Sequence, residues 1–317
     1  MKHHFLTGVY RDFDPSRIRR ETRSGFWGLE VSMLRSIGEA YRLTDFAWSS
    51  GLRIGIHYPL VEDPSSVNCP HAMIASPNRS VRERALAAVE KELRLAKDLG
   101  SPYLIVHYPK PAVLDDRLDW SDWRFARKGE TIPANSTCEE EQIEIASDVL
   151  PLLSALSTEV GVKIVIEHDI LHAWHYLRLF PKLLGENPNL GFCIDSGRLH
   201  LQEHTDPGFS ARAFLEAVSA YISNVHLWTV QLGQNKMGGH HPVLPSLTAE
   251  EGWADIGGLL SFLAEVSSSK TATTPGVQPE LFVTFEHRAD LVTDEDLAIC
   301  YSWVRRSLGT PNQVDAI

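Results

Sequence analysis

Short apolar runs rich in β-branched residues alternate with longer stretches whose apolar positions recur at helical spacing. The runs predict eight strands: Phe5–Tyr10, Gly28–Ser32, Leu52–Leu60, Tyr103–Tyr108, Lys163–Asp169, Leu190–Asp195, Asn224–Val230 and Leu281–His287. The amphipathic stretches predict helices over Ser16–Arg23, Met33–Trp48, Ser80–Gly100, Glu139–Val160, Ala173–Leu184, Phe214–Tyr221, Asp255–Val266 and Asp294–Leu308. The third is the clearest, with Leu86, Val89, Leu93 and Ala96 on one face and Gly100 as a stop. Strand followed by helix, repeated, implies a parallel sheet with helical crossovers. No linker divides the series, so the expected architecture is one α/β domain, a (β/α)8 TIM barrel spanning residues 1–317. An open doubly wound sheet is the alternative, but no G-x-G-x-x-G follows the first strand and no P-loop pattern occurs.

Several of these runs end on side chains that an apolar strand does not need. KIVIEHD ends near Glu167, LGFCIDSG carries Asp195, ISNVHLWTV carries His226 and LFVTFEHR carries Glu286. In a barrel the carboxyl ends of the strands form one mouth, which would also receive Glu30, His57 and His107. A buried charge is costly unless it is paired or bound to a cation. Taken singly, each carboxylate is more often a cap or an ion-pair partner. Gathered together without a cation, they would repel. Three carboxylates and one imidazole suit one divalent metal ion, Mn²⁺ first, with Mg²⁺, Co²⁺ or Zn²⁺ as other candidates.

Composition narrows the picture. At 43% hydrophobic and 22% charged residues, the chain of 317 is that of a globular protein with a core. No apolar run reaches membrane-span length and the first residues lack an apolar signal region, so a cytoplasmic protein with no membrane partner is expected. Cys69, Cys138, Cys193 and Cys300 form no C-x-x-C pair and are expected to be reduced thiols. A net charge of −11 disfavours nucleic acid as a partner. Two long loops, 111–137 with Trp120 and Trp123 and 231–253 with His240 and His241, are placed over the mouth of the barrel. The stretch 267–279 reads as a surface loop and 309–317 as a frayed tail.

The pieces VIEH around Glu167, CIDSG around Asp195, NVHLW around His226, HPVLP at His241 and VTFEH around Glu286 resemble the xylose isomerase-like barrel superfamily. That superfamily holds sugar isomerases and epimerases and also the apurinic-site nucleases of the endonuclease IV type. In the epimerase branch, the resemblance implies that Glu167, Asp195, His226 and Glu286 bind one divalent cation. It also implies that Glu167 and Glu286 exchange protons with the substrate, through a metal-stabilised enediolate. Both glutamates can instead be ligands only. His57, His107 and His241 fall where the nuclease branch keeps zinc ligands. They would hold a second metal, bind substrate hydroxyls, or simply hydrogen-bond at the rim.

Two positions depart from the pattern. Arg198 stands three residues after Asp195, where the family often has His, and Gly239 stands where the nuclease branch has Asp. Arg cannot ligate a metal but can hold a substrate oxygen or an anion, so Arg198 joins His57, His107 and His241 as a substrate-binding candidate. Lys110 and Arg288 are further candidates for contact with an anion. Alternation turns His168 and His287 away from the glutamates they follow. Trp228 is a candidate apolar wall, although a strand tryptophan is more often core. The resulting expectation is a metal-dependent isomerase or epimerase acting on a small-molecule sugar, with a metal-dependent phosphodiesterase as the alternative. Assembly into a homo-oligomer is common for this resemblance, and no interface signature stands out in the chain.

Overall fold

A computed structural model describes residues 1–23, 25–62, 71–123, 129–233, 237–269 and 279–310. Cys69, most of the 267–279 loop and nearly all of the tail lie outside them, as do parts of the loops at 111–137 and 231–253. In chain order the elements are β1 (Lys2–Tyr10), α1 (Pro15–Glu21), β2 (Phe26–Ser32), α2 (Ile37–Ser49), β3 (Arg53–His57), α3 (Arg79–Asp98), β4 (Tyr103–Tyr108), β5 (Ala112–Leu114), β6 (Thr131–Pro133), α4 (Glu139–Val160), β7 (Lys163–His168), α5 (Phe180–Glu186), β8 (Leu190–Asp195), α6 (Ser196–Thr205), α7 (Ala211–Val218), β9 (Ile222–Leu227), β10 (Thr229–Gln231), β11 (Met237–His241), α8 (Ile256–Ser269), β12 (Glu280–Phe285) and α9 (Asp294–Ser307).

Eight of the strands close a parallel barrel in the order β1, β12, β9, β8, β7, β4, β3, β2. Closure follows from the sequence pattern. Each strand is buried on both faces, so alternate residues enter the barrel while their neighbours meet the helices. On β7, Val165 packs inside with Leu6, Tyr103, Ile105, Cys193 and Phe282, while Ile164 and Ile166 join the outer core against the helices. The same alternation sends Glu167 inward two residues after Val165. Above this plug the interior turns polar: Tyr103 and Thr284 both donate to Glu30 Oε2, at 2.8 and 3.1 Å. Gly55 on β3 permits that layer, because a Cβ there would sit 2.1 Å from the Tyr103 hydroxyl.

The helices that carry clear caps begin where the chain supplies them. Ser36 opens α2, Asn78 opens α3 and Thr293 forms a capping box with Asp296 at α9. Several element ends shift by a few residues from expectation, and two differences go further. The helix expected over Ala173–Leu184 contains a π-turn at His175–Leu179 before α5, and α6 has no counterpart among the expected helices. Two ribbons lie beyond the strand ends: β5 pairs with β6 in parallel, and β10 with β11 antiparallel. No helix among the described residues is long and apolar enough to cross a membrane.

Candidate active site

Register brings the strand-end residues together. His107 pairs beside Glu167, Asp195 beside His226, and His226 beside Thr284, two residues before Glu286. His226 is the centre. Its Nδ1 stands 3.5 Å from Glu167 Oε1, 4.0 Å from Asp195 Oδ2 and 3.4 Å from Glu286 Oε1. Its Nε2 lies 2.8 Å from Glu30 Oε1, an ion-pair contact out of line for a hydrogen bond. Glu167, Asp195, His226 and Glu286 are all buried.

Each of these groups is oriented by a second contact. Trp228 donates its indole N–H to Asp195 Oδ2 at 3.0 Å, and the backbone N–H of Arg198 donates to Asp195 Oδ1 at 2.8 Å. Asp195 therefore ends β8 and caps α6 at once. Tyr10 donates to Glu286 Oε1 at 3.0 Å. His57 Nδ1 donates to the Tyr58 carbonyl at 2.9 Å and its Nε2 lies 2.8 Å from Glu167 Oε2. His168 faces away from the barrel, its ring edge-on to Phe214, and accepts from the Asp195 backbone N–H at 3.0 Å.

Burial and crowding set the protonation states. Burial opposes the charged form of His226, but Cys193, Glu286, Glu30 and Glu167 around it raise its pKa well above the ordinary value. Burial pushes Glu286 up to about 7, helped by Asp195 and Glu167 and opposed by His226. Glu167 goes the other way: burial opposes ionisation, yet His107, His226 and His57 hold it well below the carboxylate range. Two glutamates in one cavity are thus driven apart, one ionised and one titrating close to neutral pH. Burial also brings His107 down to about 3, so it is a neutral imidazole.

The donor set fits a divalent cation. His226 Nδ1 is buried without a hydrogen bond, yet it faces three carboxylate oxygens. Ligand atoms of Glu167, Asp195 and His226 lie within 4.8 Å of one another, as do those of Glu30, His226 and Glu286 and those of His57, His107 and Glu167. Hard oxygen donors around one imidazole are what Mn²⁺ or Mg²⁺ takes, and a doubly charged ion would offset the mutual repulsion of the clustered carboxylates.

A cavity of about 640 Å³ opens above the cluster. His57, His107 and Arg198 line it beside Glu167, Asp195 and Glu286. His241 does not; its ring sits edge-on to Trp253, 5.2 Å between centroids. Its neighbour His240 lines the cavity instead, held there by a backbone φ of +61°. The His240 ring stacks on Trp228 at 4.1 Å and its Nδ1 donates to the Glu286 carbonyl at 2.9 Å. His287 also borders the cavity, because β12 ends at Phe285 and alternation no longer applies beyond it. Trp123 lines the cavity and Arg198 lies over its ring.

Sequence reasoning missed the buried ion network beside this wall. Lys110 Nζ lies 2.6 Å from Asp169 Oδ2 and 3.2 Å from Glu130 Oε2, and Arg198 Nη1 lies 3.2 Å from Asp169 Oδ1. Lys110 therefore meets carboxylates of this chain and does not line the cavity. Asp169 is visible in the sequence at the end of KIVIEHD, but only the fold shows that it points at two cations.

A family model for the xylose isomerase-like TIM barrel matches residues 51–266, well over half of the chain. The chain belongs to the xylose isomerase-like TIM barrel family. Solved structures of the same fold include a D-tagatose 3-epimerase-like protein, 14% identical over 96% of this chain and 97% of that one, with a TM-score of 0.61. The 3-keto-D-glucoside 4-epimerase YcjR of E. coli is 15% identical over 96% of this chain and 100% of its own, with a TM-score of 0.60. Endonuclease IV from Thermus thermophilus is 15% identical over 96% of this chain and 99% of its own, with a TM-score of 0.50. Identities this low carry the fold and not the activity. A comparison with curated proteins finds no match.

Proposed function

We propose that the protein is a divalent-metal-dependent sugar isomerase or epimerase, with Glu167, Asp195, His226 and Glu286 as ligands and Glu167 and Glu286 as the proton-transfer pair. The observation that carries this reading is the approach of three carboxylate oxygens to the unbonded Nδ1 of His226. When bound, the cation would polarise a substrate carbonyl and so acidify the neighbouring C–H. The rest is done by side chains. Glu167, held ionised, takes a proton from the carbon. Glu286 can return one from another direction, which would invert the centre. Tyr10 donates to Glu286 Oε1 and so fixes that side chain. His57, His107 and Arg198 line the wall where substrate hydroxyls would lie, and Trp228 and Trp123 supply apolar surface for a sugar face.

A small neutral or weakly charged sugar suits a chain of net charge −11 better than DNA does. The group His57, His107 and Glu167 is the one feature that favours the phosphodiesterase alternative, since it is a second place for a metal. Arg198 and Gly239 count against it. The test is to load the protein with MnCl2 and incubate it with D-fructose, D-psicose, D-tagatose and, separately, a 3-keto-D-glucoside, followed by chromatography of the epimers. Metal-dependent conversion of one of them supports the proposal. Zinc-dependent nicking of abasic DNA with no sugar turnover would replace it by the alternative.

A further inference from the structure

Arg198 touches two of the proposed ligands at once. Asp195 Oδ1 accepts its backbone N–H, which fixes the residue in the first turn of α6. From there the side chain turns back over the strand ends. Its Nε lies 3.3 Å from Glu167 Oε1 and 3.6 Å from Asp195 Oδ2. Those are the same two oxygens that face His226 Nδ1 at 3.5 and 4.0 Å. The other end of the guanidinium has a different partner, Asp169 Oδ1, at 3.2 Å, and a flat support in Trp123, whose ring centre is 5.7 Å away. One planar cation thus bridges the ligand oxygens and a carboxylate outside the ligand set.

We propose that Arg198 competes with the divalent cation for Glu167 and Asp195, giving up those oxygens on metal uptake while Asp169 keeps hold of it. The inference rests on the metal reading above. Two cations at one pair of buried oxygens repel each other strongly, because screening there is weak. Metal uptake must therefore displace the guanidinium contact, and the affinity falls below what the ligands alone would give. In return the cluster is never left without a counter-charge. Removing one partner from a buried charge group is among the most destabilising changes a fold can suffer. Asp169, itself fixed by Lys110, provides the place to which the guanidinium withdraws, still facing the cavity and able to meet a substrate oxygen.

The experiment uses the full chain and MnCl2 alone as probe. Wild type, R198M and R198Q are stripped with EDTA, titrated calorimetrically with Mn²⁺, and melted with and without it. The account expects both variants to bind Mn²⁺ about tenfold or more tighter than wild type. It also expects them to melt lower than wild type in EDTA and to gain more from added Mn²⁺. D169N removes the withdrawal partner and should act in the opposite sense, weakening Mn²⁺ binding. Two neutral variants guard against one of them failing to fold. Equal or weaker Mn²⁺ binding in a folded R198M or R198Q overturns the competition and leaves the metal reading intact. Absence of Mn²⁺ binding in wild type and in both variants overturns the metal reading, and this inference with it.

Discussion

Lys110 Nζ lies 2.6 Å from Asp169 Oδ2, and both residues are fully buried. The lysine also reaches Glu130 Oε2, so it holds together the strand-end wall and the start of the β6 ribbon. Replacing it with Met leaves two carboxylates buried without that cation. K110M should therefore cost about 3–5 kcal/mol of stability in urea unfolding. A loss below about 1 kcal/mol would mean that the network is no structural anchor.

His240 and His241 are adjacent, yet only His240 faces the cavity. With Nδ1 donating to the Glu286 carbonyl, its Nε2 is left as an acceptor for a substrate hydroxyl. On whichever sugar the protein turns over, H240A should lower kcat/KM by about tenfold or more. H241A should stay within about threefold of wild type. The reverse order would show that the loop adopts another arrangement in the working protein.

Glu92 on α3 offers a pH prediction away from the site. Burial pushes its carboxyl up to about 8, although the Leu60 backbone N–H donates to it at 2.5 Å. An unfolded glutamate ionises near the ordinary value, about 4.3. Between these values the folded chain holds more protons than the unfolded one, so this group's contribution to stability falls as pH rises from about 4.5 to 8. E92Q keeps the acceptor without the charge. It should match wild type near pH 4 and exceed it by on the order of 1–3 kcal/mol at pH 8. Equal unfolding curves at pH 8 would contradict the assignment.

The barrel is legible in the sequence because its strands are apolar on both faces, and the four proposed ligands are legible because each interrupts such a run near its end. What escapes has physical reasons. Helix α6 begins on the residue after β8, since Asp195 closes the strand and caps the helix with one side chain, leaving no loop to mark the boundary. The choice between His240 and His241 depends on a left-handed backbone at His240, which no hydrophobic pattern encodes. The Lys110–Asp169–Arg198 network joins residues from beyond the ends of β4 and β7 and from α6, so only closure of the barrel places them together. The sequence puts Glu30 at the mouth, but its role beside His226 Nε2 depends on the register of strands far apart in the chain.

The most direct test of the central claim is solvent exchange at carbon. Mn²⁺-loaded wild type, E167Q and E286Q are incubated with the ketohexose panel in D2O, and deuterium next to the carbonyl is followed by NMR, with bound Mn²⁺ measured in parallel. The account predicts metal-dependent deuterium uptake by wild type, loss of uptake in E167Q and loss of epimer formation in E286Q, with Mn²⁺ still bound in both variants. Undiminished exchange in metal-loaded E167Q, or undiminished epimer formation in metal-loaded E286Q, would contradict the proton-transfer roles of Glu167 and Glu286.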